Sequence, residues 1–593
     1  MTAILIIAPL VLAALAIMLV GEEHFKTVKY IAFGASIVTL LFAILLYQTP
    51  PGIETYSWFS IAGLSFNITT STETLNMLLM MLVSVMTPLI FLYSMGYLET
   101  PSEQRRFYFE MCLFAASMLL FSISAGFISL FIAWEMLGVT SYLLIGFWYK
   151  REHAATAARK AITTILIGDI AMLVAIVLIG VHYHSFDFAT LMSQYQNTSF
   201  LYLPLLLILI AAFTKSAQFP FHEWLSDAME GPTPVSAFLH SSTMVKAGVF
   251  LIMVLFPLYS QTGLLPVILI VGIISAAIGA SNALASRHIK KILAYSTIED
   301  LALMFIGIGL GALYATILLF FVQSFYKALL FMGSGAIMKA NEDEEDIFKT
   351  YNSSKNRKLY VALLFGVLSI AGVFPFSGFF GKALLGSAAS SNLPVYIMLV
   401  IIELAGGIYI FRWLFIPLRN MNEKEETVYI NYNSIPPTMI APMYILAILI
   451  LLASFSYIYF PTFLLPIVKN VQQITWPEVL FVNGTAIVGL LVANYVYRQG
   501  HRFYMASKHK NLFNALNNSA IINRAYVAIA AAFMYTARAI SRFDSGVDKF
   551  TYSFSEAFIE SGHSIKGLVN GQVNTYLLAF IAGFIILVIA FAL

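Results

Sequence analysis

Long apolar runs recur from one end of the chain to the other, and they limit the fold more tightly than any other feature. A run of about 20 apolar residues can cross the hydrocarbon core of a bilayer as a helix. In lipid the backbone must satisfy its own hydrogen bonds, so runs of this length span as helices. Such runs lie at 2–20, 28–47, 74–95, 107–124, 127–148, 158–181, 201–218, 235–256, 264–285, 292–310, 312–338, 360–387, 394–416, 438–460, 477–497 and 573–592, about sixteen in all. Only 11% of the 593 residues are charged, against about 25% in soluble chains. The expected fold is all-α: a polytopic membrane protein, multi-pass, with about sixteen transmembrane helices.

The loops supply a topology. If the spans are right, Lys26, Lys29, Arg105, Arg106, Lys150, Arg151, Arg159, Lys160, Arg287, Lys290, Lys291, Lys339, Lys349, Lys355, Arg357, Lys358, Arg419 and Lys424 share one side. The opposite loops 48–73, 182–200, 257–263 and 391–394 hold no Lys or Arg, and Lys469 is the one clear basic residue there. The bias of basic loops toward the inside predicts that both termini lie outside. The first run ends at Gly21-Glu22-Glu23 without a small-residue cleavage site, which reads as a retained span. Net charge is +3, so nothing points to nucleic acid. The single Cys112 excludes an intrachain disulfide or a cysteine-held cluster in this chain.

Two spans are broken. Phe219-Pro220-Phe221 interrupts the seventh near Lys215, and Phe374-Pro375-Phe376-Ser377-Gly378 interrupts the twelfth near Lys382. Proline removes a helix hydrogen bond and frees carbonyls, and membranes tolerate this where the break lines a polar cavity. Interrupted helices five spans apart, each with a lysine, suggest an internal repeat in inverted orientation. Residues 500–570 differ: scattered charges among aromatics and Ala fit an amphipathic lateral helix on the membrane or on partner subunits, before a final anchoring span.

Ionisable residues inside the spans are the candidate functional groups. They are Glu135, Asp169, Lys215, His240, Lys246, Glu299, Asp300, Lys327, Lys382 and Glu403. Any one of them alone has a packing or snorkelling explanation. Together, acids and lysines at similar depth form pairs that exchange partners and pass protons. No pair of metal ligands at helical spacing occurs, so no metal site is expected.

The segments KSAQFPFHEWLSDAMEGPTPVSAFLHSSTMVKAG, FIAWEMLGVTSYLLIGFW, KKILAYST, FYKALLF and PFSGFFGK together resemble the proton-translocating antiporter-like family shared by complex I and multi-subunit cation/proton antiporters. The likeness covers about 70–420 and is most specific at 213–248. The C-terminal additions resemble the chain L (mitochondrial subunit 5) branch. The resemblance implies two inverted five-helix repeats with discontinuous helices 7 and 12. Its parts would be N-terminal helices (1–106), a first repeat (107–256), a second (264–416), additional helices (438–497), a lateral helix (500–570) and an anchor (573–593). By motif, Glu135 resembles the glutamate that pairs with the broken-helix lysine, Lys215. Asp169, His240, Lys246, Lys327 and Lys382 resemble further relay positions, and Lys290 a lysine opening the tenth span. Glu299, Asp300, Gln323 and Glu403 are further possible relay residues. Gln323 stands where chain L usually has histidine, Ala383 where it has an acid, and Glu299-Asp300 where a Ser-Gln-like pair is usual; the last pair resembles relatives in membrane-bound hydrogenases.

What the resemblance implies for function is a proton-pumping subunit of a complex I-like oxidoreductase that passes electrons from NADH or a related donor to quinone, in a prokaryotic cell membrane or the mitochondrial inner membrane. It would carry no cofactor itself, while partner subunits hold flavin and iron–sulfur clusters and bind quinone. Its partners would be other membrane subunits, including antiporter-like neighbours under the lateral helix. The alternative is a subunit of a sodium/proton antiporter or of a membrane-bound hydrogenase-type complex.

Overall fold

The computed structural model describes residues 2–61, 63–194, 198–351, 355–418, 435–464, 473–498 and scattered positions between 535 and 582. The expected lateral helix at 500–570 and the last span lie almost entirely outside the described residues. The chain divides into two units, Met1–Asn518 and Ser519–Leu593; the first contains everything that follows.

The unit opens with α1 (Ala8–Leu19) and α2 (Val28–Tyr47), then a hairpin of β1 (Ile53–Ile61) and β2 (Leu64–Ser71). Next come α3 (Thr74–Tyr97), α4 (Pro101–Ile123), α5 (Phe127–Ile145), α6 (Glu152–Tyr183), α7 (Phe188–Gln194), α8 (Thr198–Lys215), α9 (Glu223–Asp227), α10 (Thr233–Ser241), α11 (Ala247–Val254) and α12 (Phe256–Tyr259). They are followed by α13 (Leu265–Ala285), α14 (Ile289–Gly309), α15 (Leu313–Ala340), α16 (Arg357–Ile370), α17 (Ser377–Ala389) and α18 (Leu393–Phe415). The last are α19 (Pro437–Ser454), α20 (Ser456–Leu464) and α21 (Trp476–Ala493). Among the described residues twelve helical stretches are long and apolar enough to cross a membrane.

Burial separates the helices into two kinds. On α6, Ile167, Ile170, Val174, Val177 and Val181 are exposed at helical spacing, an apolar stripe suited to lipid. By contrast α14 and α15 are buried on nearly every face. A helix that is apolar all round belongs in the centre of a membrane bundle. The polar side chains of these two central helices therefore face protein.

Both expected breaks are present. α8 stops at Lys215, and the chain turns through Ala217 at φ +49° before α9. α16 stops at Ile370, turns through Gly372 at φ +75°, and resumes as α17. The eighth span, expected to be continuous, has a break of its own between α10 and α11. The Thr243 hydroxyl donates to the Phe238 carbonyl at 2.7 Å. Ser and Thr side chains compete in this way with the helix ladder, and SSTM at 241–244 places three hydroxyls in a row. Lys246 sits in the 3-10 turn that follows.

The hairpin is the departure from an all-α chain. Its strands pair antiparallel from Ile53↔Ser71 to Ile61↔Leu64, with a bulge between Ser57 and Phe59. The segment is rich in Thr, Tyr, Trp, Phe and Ile, which suit a pleated surface. It joins the start of α5: Ala125 N–H donates to the Thr69 carbonyl at 2.9 Å, as does the Ser129 hydroxyl at 2.9 Å.

Lys29, Arg151, Lys290 and Lys339 of the basic loops line one shared cavity. There the loop from Asn341 to Asp346 (NEDEED) folds back on the start of α14. Ile289 N–H donates to Glu345 O and Ile347 N–H to Arg287 O, both at 2.9 Å. Arg287 pairs with Asp346 at 2.5 Å and His288 with Glu345 at 3.0 Å. The hydrogen bond from His288 holds the Glu345 carboxyl well below its ordinary 4.5, at about 2. A depressed carboxyl stabilises the native state fully above its unfolded pKa and loses that contribution as pH falls through the folded one. The clamp is therefore expected to be intact at neutral pH and to loosen between about pH 4.5 and pH 2. Hydrogen exchange across 341–350 checks this; protection that stays level through that window contradicts it.

Candidate functional site

The first cluster forms where α5, α6 and the end of α8 meet. The Lys215 ammonium is fully buried. It donates to the Trp134 carbonyl at 3.0 Å, lies 4.7 Å from the centre of the Trp134 ring, and stands 3.9 Å from Asp169 Oδ1. The Trp134 indole N–H donates to the same carboxylate oxygen at 2.6 Å. Lys215 is seated against Asp169; Glu135, the partner that the resemblance implies, is half-buried and among the described residues makes no ion pair within 4 Å. The cause is helical phase: Glu135 follows Trp134 and so projects about 100° round α5 from it.

The second cluster lies on one stripe of α15. Lys246 contacts the Phe320 carbonyl and the Ser324 hydroxyl. Gln323 donates to the His240 carbonyl at 3.2 Å. The His240 ring stacks on Phe331 at 4.8 Å, and neither ring nitrogen has a hydrogen-bond partner among the described residues. Positions 320, 323, 324 and 327 share one helix face, so the contacts of Lys246 and His240 lead along α15 to Lys327.

Lys327 is bound by α14. It donates to the Ser296 hydroxyl at 2.6 Å and pairs with Asp300 at 3.0 Å. The Tyr326 hydroxyl donates to the same carboxylate at 3.2 Å. Ser296 and Asp300 are one turn apart, which puts both on the face that meets α15. Farther on, Lys382 of α17 pairs with Glu403 of α18 at 2.5 Å. Lys215, Lys327 and Lys382 thus each have an acid within 4 Å. Buried charges attract strongly in a low dielectric, and they cost several kcal/mol each unless so paired.

Lys290 is separate from these. It is buried at the start of α14 and donates to the Met229 and Gly231 carbonyls at 2.5 and 3.2 Å. It also borders the cavity of about 1300 Å³ that the basic loops share, which Glu99, Glu230, Lys339 and Glu345 help to line.

Several buried polar residues were missed in the sequence. Arg412 donates to the carbonyls of Ala283, Leu284 and Ser286 at 2.6–2.9 Å, satisfying the end of α13. His222 and Glu223 are buried beside the first break, 3.4 Å apart. Glu223 is 3.9 Å from Lys160, which also binds Asp227 at 2.7 Å. The available signal was the His-Glu pair directly after Phe219-Pro220-Phe221.

Comparison with known proteins follows the same residues. Residues 124–406 match the family model described as NADH:quinone oxidoreductase/Mrp antiporter, TM. Residues 58–108 match the one described as NADH-Ubiquinone oxidoreductase (complex I), chain 5 N-terminus. The NADH-quinone oxidoreductase subunit L of Campylobacter jejuni is 32% identical over 556 residues, covering 91% of this chain and 90% of its own. The chain belongs to this antiporter-like subunit L/5 family. Subunit L of Mycobacterium tuberculosis is 31% identical over 559 residues, covering 91% of this chain and 88% of its own. The chloroplast NAD(P)H-quinone oxidoreductase subunit 5 of Chara vulgaris is 30% identical, covering 90% of this chain and 87% of its own. Among solved structures, the Mrp complex from a Dietzia species shares the fold, with a TM-score of 0.73 at 24% identity. That likeness covers 89% of this chain and 60% of the Mrp chain. As a member of the subunit L/5 family, the chain is an integral, multi-pass membrane protein.

Proposed function

We propose that this chain is a proton-translocating membrane subunit of a complex I-like NADH:quinone oxidoreductase, and that its buried lysines and acids carry the protons. The observation that carries the reading is the series Lys215–Asp169, Lys246 on α15, Lys327–Asp300 and Lys382–Glu403, four lysines buried in apolar helices and three of them paired. Family membership supports the host complex. Redox chemistry takes place in other subunits, which bear flavin and iron–sulfur clusters and bind quinone. This chain holds no redox centre and contributes to a translocase. Both termini lie on the outer side of a prokaryotic cell membrane, and the lateral helix contacts neighbouring antiporter-like subunits.

In this mechanism a change of field along the membrane arm opens the Lys215–Asp169 pair. Glu135, whose charge also acts on Lys215, offers the second position for the ammonium. A lysine separated from its acid in a low dielectric gives up its proton more readily. That proton passes by His240 and Lys246 toward Lys327, and Lys382 releases one outward. Gln323 borders the route through the His240 carbonyl, whereas Lys290 lies apart from it at the start of α14.

The test is Lys215→Ala in the assembled complex, measured as proton uptake by sealed inverted vesicles during NADH oxidation. Proton translocation is expected to collapse while the complex still assembles. Normal pumping in an assembled variant would sink the mechanism. Sodium-dependent proton exchange by a complex free of flavin and iron–sulfur clusters would instead identify an antiporter subunit.

A further inference from the structure

Glu299 is the buried acid that the pairs above leave over. It is 1% exposed, and neither carboxylate oxygen has a hydrogen-bond partner among the described residues. An unsatisfied buried carboxylate is costly, so its surroundings are informative. Asp300, its chain neighbour, turns to α15 and binds Lys327. Glu299 projects the other way, between α13 and α18. A methyl placed on Gly279 would come within 2.8 Å of the Glu299 backbone nitrogen, and one on Gly406 within 3.2 Å of Glu299 Oε1. Glycines on both neighbouring helices therefore let the acid sit against their backbones. Gly406 is three residues from Glu403, on the same face of α18. The charges acting on Glu299 are Lys382, Glu403, Asp300 and Lys327, both members of both ion pairs. The Tyr409 hydroxyl also faces it.

We propose that Glu299 is the proton carrier that links the Lys327–Asp300 pair to the Lys382–Glu403 pair. This deepens the relay reading and rests on it. After Lys382 has released a proton outward, its neutral amine takes one from the Glu299 carboxyl, leaving carboxylate and ammonium. The Glu299 carboxylate then takes a proton from the Lys327 ammonium, leaving a neutral amine beside Asp300. No oxidant, reductant or metal enters the step. The carboxyl suits this role because, among the described residues, no ion pair holds it to either lysine.

The assembled complex with Glu299→Gln, which keeps shape and removes the exchangeable proton, is expected to pump as poorly as Lys215→Ala. Glu299→Asp should retain most pumping. Redox-induced infrared difference spectra should contain a protonated-carboxyl band that disappears in the Gln variant and shifts in the Asp variant. If Glu299→Gln pumps normally while Lys215→Ala does not, the bridge is wrong and the relay stands. If Lys215→Ala pumps normally, the relay itself fails. Should Glu299→Gln not assemble, the Asp variant decides: an unmoved carboxyl band overturns the proposal.

Discussion

Replacing Lys327 by Met is expected to abolish proton translocation and to cost the fold about 3–5 kcal/mol. Lys327 is completely buried, 3.0 Å from Asp300 and 2.6 Å from the Ser296 hydroxyl. Methionine fills most of the same volume, so the loss is electrostatic. It leaves the Asp300 carboxylate buried, with the Tyr326 hydroxyl as its one remaining hydrogen-bond donor among the described residues. Removing one partner of a buried pair costs far more than removing both. The double variant Lys327→Met/Asp300→Leu should therefore regain most of the lost thermal stability, measured on the solubilised complex, and still fail to pump. A single variant as stable as the parent would show that the pair does not hold a buried charge. A double variant that pumps would remove Lys327 from the relay.

Adding one methyl group at Gly248 is the second large effect. Its Cβ would stand 2.3 Å from the Ala212 carbonyl oxygen, 2.4 Å from the Ser216 hydroxyl and 2.9 Å from the Ala212 carbonyl carbon. Two of those atoms are backbone and cannot rotate away, so α11 and α8 must separate. Forced overpacking of this kind costs about 1–3 kcal/mol, occasionally more. The strain falls within a turn of Lys215, at the end of the helix that presents it. Gly248→Ala is expected to lower the amount of assembled complex and to weaken pumping in what remains. Gly34→Ala, where nothing lies within 4 Å, should change neither. Equal yields from the two variants would contradict the close approach of α11 and α8.

The membrane helices could be read from the sequence because lipid demands long apolar runs, and those runs are hard to mistake. The lysines were legible for the same reason: Lys215, Lys327 and Lys382 are conspicuous in hydrocarbon. Their partners were not. A lysine side chain reaches several residues on the facing helix, and helical phase decides which acid it meets. One step along α5 separates Glu135 from Trp134, and that step gave Lys215 to Asp169. The break between α10 and α11 has no proline to announce it; the Thr243 hydroxyl takes the Phe238 carbonyl there instead. The hairpin was hidden in the polar-aromatic loop 48–73 between two strong spans. Arg412 sits near the end of its span, where a basic residue is unremarkable until the carbonyls of α13 are found beneath it.

Trp134 holds Lys215 with its carbonyl and its ring while its indole N–H grips Asp169. A single chromophore is thereby wired to both members of the pair. Any separation of the two charges must alter the field across that indole or break its hydrogen bond. In the proposed switch that indole is a built-in optical gauge, read as the difference in ultraviolet resonance Raman bands between the parent and Trp134→Phe, which separates it from the five other tryptophans of the chain.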